Sequence, residues 1–188
     1  RIPDAYFQAV GSGTGAIAAW ENAERIAADG RFGENKMRIY ASQNAPFTIM
    51  YDSWKAHSRE LVPMTPEEGR QKAEVILGKV LSNRKPPYSL AGGLFDVLEK
   101  SGGDMFKVSN DEVVSWVVKY FSLEGYDLFP ASACAVSSLK QALDAGIVKH
   151  DETVMLNVTG GGMLGATRKG FILKEPDLIL SPDLPAEE

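Results

Sequence analysis

Glycine at alternate positions 11, 13 and 15 constrains this chain more than any other feature. The stretch Ala9-Val10-Gly11-Ser12-Gly13-Thr14-Gly15-Ala16-Ile17-Ala18 follows a run with strand character, Ala5 to Val10, and precedes a run with helical period, Ile17 to Ile26. Without a Cβ the backbone can curl tightly. The N–H groups at a helix start have no helical partner, and the helix dipole there favours an anion. A strand, a glycine turn and a helix N-terminus therefore predict a phosphate seat, with Ser12 and Thr14 adding hydroxyl donors. The alternative is a tight strand-to-helix turn that binds nothing, but such a turn rarely needs glycine at every second position.

The bulk properties narrow the rest. A chain of 188 residues, 44% hydrophobic, can bury one good core. A net charge of −5 argues against a nucleic-acid surface. No apolar run is long enough to span a bilayer and no signal-peptide pattern opens the chain, so no membrane partner is expected. A single cysteine, Cys134, excludes an internal disulfide framework and a Cys-built zinc site, which points to the cytoplasm. The chain opens on Arg1, not Met, almost directly on a strand, which predicts a cut from a longer protein.

Along the chain the pattern alternates strand and helix. The first helix is expected to end near Asp29, with Gly30 suited to the left-handed position after it. Met37 to Ala41 reads as the second strand, giving the strand–helix–strand crossover of a parallel sheet. Phe47 to Trp54 reads as a helix led in by Pro46. Thr65, Pro66 and Glu68 form a capping box with proline at the first helical position, and that helix is expected to continue through Leu81. Ser82 to Tyr88 is a rigid linker, Leu94 to Lys100 a short helix, and Asp104 to Val108 a third strand. Ser109 and Glu112 open a helix through Trp116 and Phe121 that is apolar on most sides, which predicts burial. Small residues from Ala131 to Ala135 suit a helix packed closely on a sheet, ending at Ala145-Gly146. Thr153 to Thr159 is the last strong strand and runs into Gly160-Gly161-Gly162. Past Phe171-Ile172-Leu173 the proline- and acid-rich tail is expected along the surface. The fold class is α/β, three layers with a mostly parallel sheet.

Two ligand classes compete for the first loop. Gly11-x-Gly13-x-x-Ala16 matches the dinucleotide fingerprint, but that fingerprint wants an acid at the end of the second strand, where Ala41-Ser42-Gln43 stand instead. The second loop, Val158-Thr159-Gly160-Gly161-Gly162, also closes a strand. In an open parallel sheet, ligands gather at the carboxyl ends of strands. Both loops are then expected on one rim, one seating a phosphate and the other offering the Thr159 hydroxyl. A cofactor with a phosphate and a ring heteroatom fits that pair, and a non-catalytic phosphate- or nucleotide-binding module stays open beside it.

Val10-Gly11-Ser12-Gly13-Thr14-Gly15-Ala16 resembles the phosphate loop of the pyridoxal-phosphate enzymes of the tryptophan synthase β-subunit-like fold, fold type II. Glu124-Gly125, Pro130-Ala131-Ser132-Ala133 and Val158-Thr159-Gly160 are similar to the C-terminal half of threonine synthases. Arg84-Lys85-Pro86-Pro87-Tyr88 and Thr159-Gly-Gly-Gly162 look closer to a threonine-synthase-like branch, the cysteate synthases of methanogenic archaea. The resemblance implies pyridoxal 5′-phosphate as cofactor. It implies that Gly11, Ser12, Gly13, Thr14 and Gly15 bind its phosphate, and that Thr159 meets the pyridine nitrogen. It also implies β-replacement on a phosphorylated amino acid, O-phosphoserine with sulfite, or alternatively a threonine synthase acting on O-phosphohomoserine, in a homo-oligomer. The family's cofactor-bearing lysine and substrate-carboxylate loop lie upstream of the phosphate loop. Residues 1–188 therefore look like the C-terminal, phosphate-binding part of a two-domain enzyme, and alone are expected to be inactive.

Other candidates carry less. Glu124 matches the family's Glu-Gly position, or is a solvent-facing acid at a helix end. Ser132 suits a helix N-cap better than a catalytic role. His57 lies in an irregular region where substrate contacts could come, whereas His150 sits in a polar turn. The two histidines lack the carboxylate spacing of a metal site. Arg84 and Lys85 could meet an anionic substrate, though a solvated linker pair explains them as well. Cys134, among alanines and serine, reads as a small core residue and not a nucleophile.

Overall fold

A computed structural model describes residues 1–170 together with Asp177 and Leu178. The Phe171-Ile172-Leu173 segment lies outside the described residues. Four strands, β1 (Ala5–Ala9), β2 (Arg38–Asn44), β3 (Asp104–Val108) and β4 (Val154–Leu156), form one sheet in the order β3-β2-β1-β4. Each neighbouring pair is parallel. Helices α1 (Thr14–Asp29), α2 (Ile49–Lys55) and α4 (Leu94–Ser101) cover one face, with Tyr6, Ile39, Ala41 and Met105 pointing into that layer. The other face carries Ala5, Phe7, Ala9, Tyr40, Phe106 and Val108 toward α6 (Pro130–Asp144). Alternation along each strand thus feeds two cores, as a doubly covered sheet requires. The three-layer α/β/α class expected from the sequence is the class observed.

Helix α6 crosses all four strands. Its buried residues from Ala131 to Ser138 are alanine, serine, cysteine and one valine, and that small stripe lets the helix lie close to the sheet. Helix α5 (Asn110–Glu124) packs outside it, on α6 more than on the sheet. The expectation of a well-buried α5 is therefore corrected. Val113 alone is fully buried in that helix, while Val114 and Val118 are more than half exposed, because α6 occupies the sheet face that α5 needed.

Other boundaries also move. The Thr65 capping box forms as expected, but helix α3 (Pro66–Val75) stops where Ile76 turns extended and buries its side chain. Lys79–Leu81 then makes a separate 3₁₀ turn with Leu81 buried near Ala9. Strand β2 runs on through Ser42, Gln43 and Asn44, all buried. Gln43 Oε1 accepts from the Met50 and Tyr51 N–H groups at 2.9 and 3.0 Å, capping α2. Asn44 accepts from Gly78 N–H at 2.9 Å and donates to Val108 carbonyl at 3.0 Å. Strand β4 is shorter than expected and covers Val154–Leu156 alone. No helix among the described residues is long and apolar enough to cross a membrane.

Candidate functional site

The glycine loop leaves β1 at the carboxyl edge of the sheet. Val10 N–H still bonds to the Ser42 carbonyl at 2.9 Å, so the loop starts from a fixed point. Gly13 then takes φ 82° as the N-cap of α1. That left-handed conformation costs a residue with a Cβ roughly 1–2 kcal/mol, which explains glycine there. The Gly13 carbonyl accepts from Ile17 N–H at 3.0 Å and starts the helix. The amides of the first turn have no helical acceptor. Thr14 and Gly15 are exposed, so this turn opens outward. The hydroxyls of Ser12 and Thr14 bond to each other at 2.9 Å across the mouth. No carboxylate occurs between Ala5 and Ala18. An edge of N–H and O–H donors without an acid fits a phosphate dianion. On the inner side, a Cβ on Gly11 would stand 2.7 Å from the Val80 carbonyl oxygen.

The late glycine loop leaves β4 beside it. Tyr6 pairs with Met155 and Phe7 with Leu156 in parallel register, and Asn157 N–H bonds to the Phe7 carbonyl at 2.9 Å. Both loops therefore emerge from neighbouring strands at the same edge, about 4.8 Å apart at the sheet. Ser132, buried in the first turn of α6, donates to the Gly160 carbonyl at 2.8 Å and accepts from Gly160 N–H at 3.0 Å. Phe129 N–H donates to the same carbonyl at 3.1 Å, and Gly162 N–H donates to the Asp127 carbonyl at 2.9 Å. These bonds fix the loop while leaving Thr159 exposed. Among the described residues its hydroxyl has no hydrogen-bond partner, so it can bond a ring nitrogen. A cavity of about 430 Å³ opens there, lined by Gly78, Val80, Ala131, Ser132, Thr159 and Gly160 with neighbouring residues. Val80 joins the two loops: it walls this cavity and backs Gly11.

The end of β2, where a dinucleotide site wants an acid, carries Ser42, Gln43 and Asn44. The Ser132 expectation is corrected. Phe129 occupies the N-cap of α6 without a side-chain bond, and Ser132 serves the late loop instead. A buried hydroxyl in an alanine-rich run was the signal, but its partner lies 28 residues away. Glu124 is exposed at the C-terminal end of α5. His57 and His150 are exposed, and His57 takes φ 51° just after α2. The Arg84 stem packs on Gly69 of α3, where a Cβ would come within 2.2 Å of its Cδ. Lys79 lines the cavity by residue, yet its ammonium donates to the Ala73 carbonyl at 2.9 Å at the end of α3. Cys134 is fully buried, and burial pushes its thiol up to about 12, as suits a core residue.

Cysteate synthase of Methanosarcina acetivorans is 42% identical, with all of this chain and 46% of that protein covered. Cysteate synthase of Methanocella paludicola is 46% identical, covering all of this chain and 44% of that protein. The chain thus spans a little under half the length of the curated relatives it matches. Among solved structures, the processed form of threonine deaminase isoform 2 from Solanum lycopersicum superposes with a TM-score of 0.62 at 13% identity, covering 91% of this chain and 44% of that one. Serine racemase from Dictyostelium discoideum gives 0.58 at 14% identity over 85% of this chain and 44% of that one. Identities this low speak for the fold alone, which is the tryptophan synthase β-subunit-like fold type II. The model of the family described as pyridoxal-phosphate dependent enzyme matches residues 1–160, and the chain belongs to that family.

Proposed function

We propose that this chain is the C-terminal, phosphate-gripping part of a two-domain enzyme that converts O-phosphoserine and sulfite to L-cysteate and phosphate. The observation that carries the reading is the emergence of two loops of complementary chemistry from adjacent strands β1 and β4 at one sheet edge. The relatives' name, cysteate synthase, points to the product, and the phosphate seat fits a phosphorylated cofactor.

Pyridoxal phosphate, when bound, supplies an electron sink for the substrate carbanion. The amides from Gly11 to Gly15 hold its phosphate at the positive end of α1, where each peptide dipole favours an anion. The hydroxyls of Ser12 and Thr14, bonded to each other in this structure, would be able to donate to the phosphate instead. Thr159 meets the ring nitrogen through a neutral hydroxyl. A neutral hydroxyl at that place would hold a hydrogen bond without delivering a full proton, a setting that would suit elimination and replacement over transamination. Ser132 holds the Gly160 backbone directly after Thr159 in place. The cofactor-bearing lysine would come from the part of the relatives' length that these residues do not span, and residues 1–188 alone would not turn over. The full enzyme is a cytoplasmic homo-oligomer.

The test uses the full-length protein. With pyridoxal phosphate, O-phosphoserine and sulfite, cysteate and phosphate should form in equal amounts, and O-phosphohomoserine should give no threonine. Threonine from O-phosphohomoserine would replace this reading with a threonine synthase. Binding of a dinucleotide in preference to pyridoxal phosphate would replace it with a non-catalytic module.

A further inference from the structure

We infer that Tyr6 is a positioning residue, the centre of a hydrogen-bonded relay from Asn157 to Gln8 that sets the spacing between the two glycine loops. The Tyr6 hydroxyl accepts from Asn157 Nδ2 at 2.7 Å and donates to Gln8 Oε1 at 2.8 Å. Asn157 stands two residues before Thr159, at the root of the late loop. At the other end, the Gln8 amide lies against Gly15, where a Cβ would stand 2.6 Å from Nε2. The relay therefore starts where one loop begins and ends under the first turn of α1, where the other finishes.

The sheet does not do this work alone. Strands β1 and β4 pair at Ala5, Tyr6 and Phe7, and the Asn157-to-Phe7 backbone bond is the last rung. Beyond it the two strands share no further backbone rung, and the relay adds a side-chain tie between the root of the late loop and the base of the first, beside Val80. Tyr6 is 4% exposed, and the neighbouring cavity of about 420 Å³ is walled by Ile26, Phe32, Met37 and Met155 among others. Apolar surroundings strengthen such bonds and make an unpaired member costly. Burial also pushes the Tyr6 phenol above its ordinary value, keeping it a neutral donor.

The inference rests on the reading that both loops grip one cofactor, and its test separates the two. In the full-length protein, Tyr6→Phe deletes the relay's central hydroxyl and keeps the ring. We expect affinity for pyridoxal phosphate, read by fluorescence titration, to fall about tenfold, the effect of one or two net hydrogen bonds. Affinity for inorganic phosphate, which touches the first loop alone, should change less than about twofold, well below one net hydrogen bond. Gln8→Met interrupts the relay from its other end and should reproduce that split. Combined with Tyr6→Phe it should add nothing, since both cut the same chain. Unchanged pyridoxal phosphate affinity in either variant overturns the inference, and so does a parallel loss of phosphate affinity, which marks a general loosening of the fold. The cofactor reading fails separately if Thr159→Val leaves pyridoxal phosphate affinity at the wild-type level.

Discussion

Ser132 and Gly160 exchange two hydrogen bonds, hydroxyl to carbonyl at 2.8 Å and N–H to hydroxyl at 3.0 Å. One side chain thereby holds both polar groups of the residue next to Thr159. Ser132→Ala leaves the Gly160 N–H without its acceptor in a part-buried setting. It should lower stability by about 1–2 kcal/mol, the cost of an orphaned donor. Ser138 is the control: equally buried, it donates to the Ala135 carbonyl inside its own helix at 2.8 Å. Ser138→Ala should stay within about 0.5 kcal/mol of wild type. Urea denaturation of both variants checks the ranking, and equal costs would remove the special role of Ser132.

Gly11 and Gly15 should separate fold from binding. A Cβ on Gly11 meets the Val80 carbonyl oxygen at 2.7 Å, and Leu81 Cα at 3.2 Å, so backbone must move. A Cβ on Gly15 meets the far end of the Gln8 side chain, which can swing away. Alanine at 15 also improves the helix by up to about 1 kcal/mol. Gly11→Ala is therefore expected to lower Tm clearly, whereas Gly15→Ala, its helix gain offsetting the lost Tyr6–Gln8 bond, should stay near the wild-type Tm and lose pyridoxal phosphate affinity as Gln8 is displaced. Thermal melts run beside cofactor titrations decide it; a Gly15→Ala protein that binds normally contradicts the close packing at that turn.

Local rules made the first loop, the capping boxes at Thr65 and Ser109, and strand β3 legible, because each is written within a few adjacent residues. What failed was decided at a distance. The second strand reads as ending near Ala41, yet β2 runs on through Ser42, Gln43 and Asn44, because Gly78, Val108 and the start of α2 supply partners. Helix α5 looks buried, yet α6 with its smaller residues takes the sheet face first. Both loops were readable as glycine runs at strand ends. That their strands are neighbours was readable only as a rule about parallel sheets, and the Asn157–Tyr6–Gln8 relay had no signal in the sequence order.

Cys134 should behave as an inert core residue. It is buried between α6 and the sheet, and burial, with the Glu112 carboxylate adding to it, pushes the thiol up to about 12. The thiolate is the reactive form, so almost none exists near neutral pH. A thiol reagent added to the native protein should leave Cys134 unlabelled, and the same reagent in denaturant should label it fully. Rapid native labelling would show that α6 opens far more readily than its packing allows.

Glu112 gives the fold a specific acid sensitivity. Partial burial alone raises its pKa, but Ser109 N–H and hydroxyl donate to Oε2 at 2.8 and 2.7 Å, and Gln141 donates to Oε1 at 2.7 Å. The bonds win, and the carboxyl sits below its ordinary value of 4.5 in the folded protein. Unfolding restores the ordinary value, so below it the unfolded chain takes up a proton more readily than the folded one. The carboxylate's contribution is accordingly complete above pH 4.5 and is lost as pH falls through the lower, folded value. Asp4 and Asp96 have lowered values as well, so overall acid lability cannot isolate Glu112. The Glu112→Gln variant can. It should be less stable than wild type by about 1–2 kcal/mol at neutral pH, having lost charge-assisted bonds at the cap. That gap should narrow as pH falls below the ordinary carboxyl value of 4.5 and wild type protonates. Denaturant midpoints of both proteins across that range measure it, and a gap of constant size would show that the Glu112 charge contributes nothing to the cap.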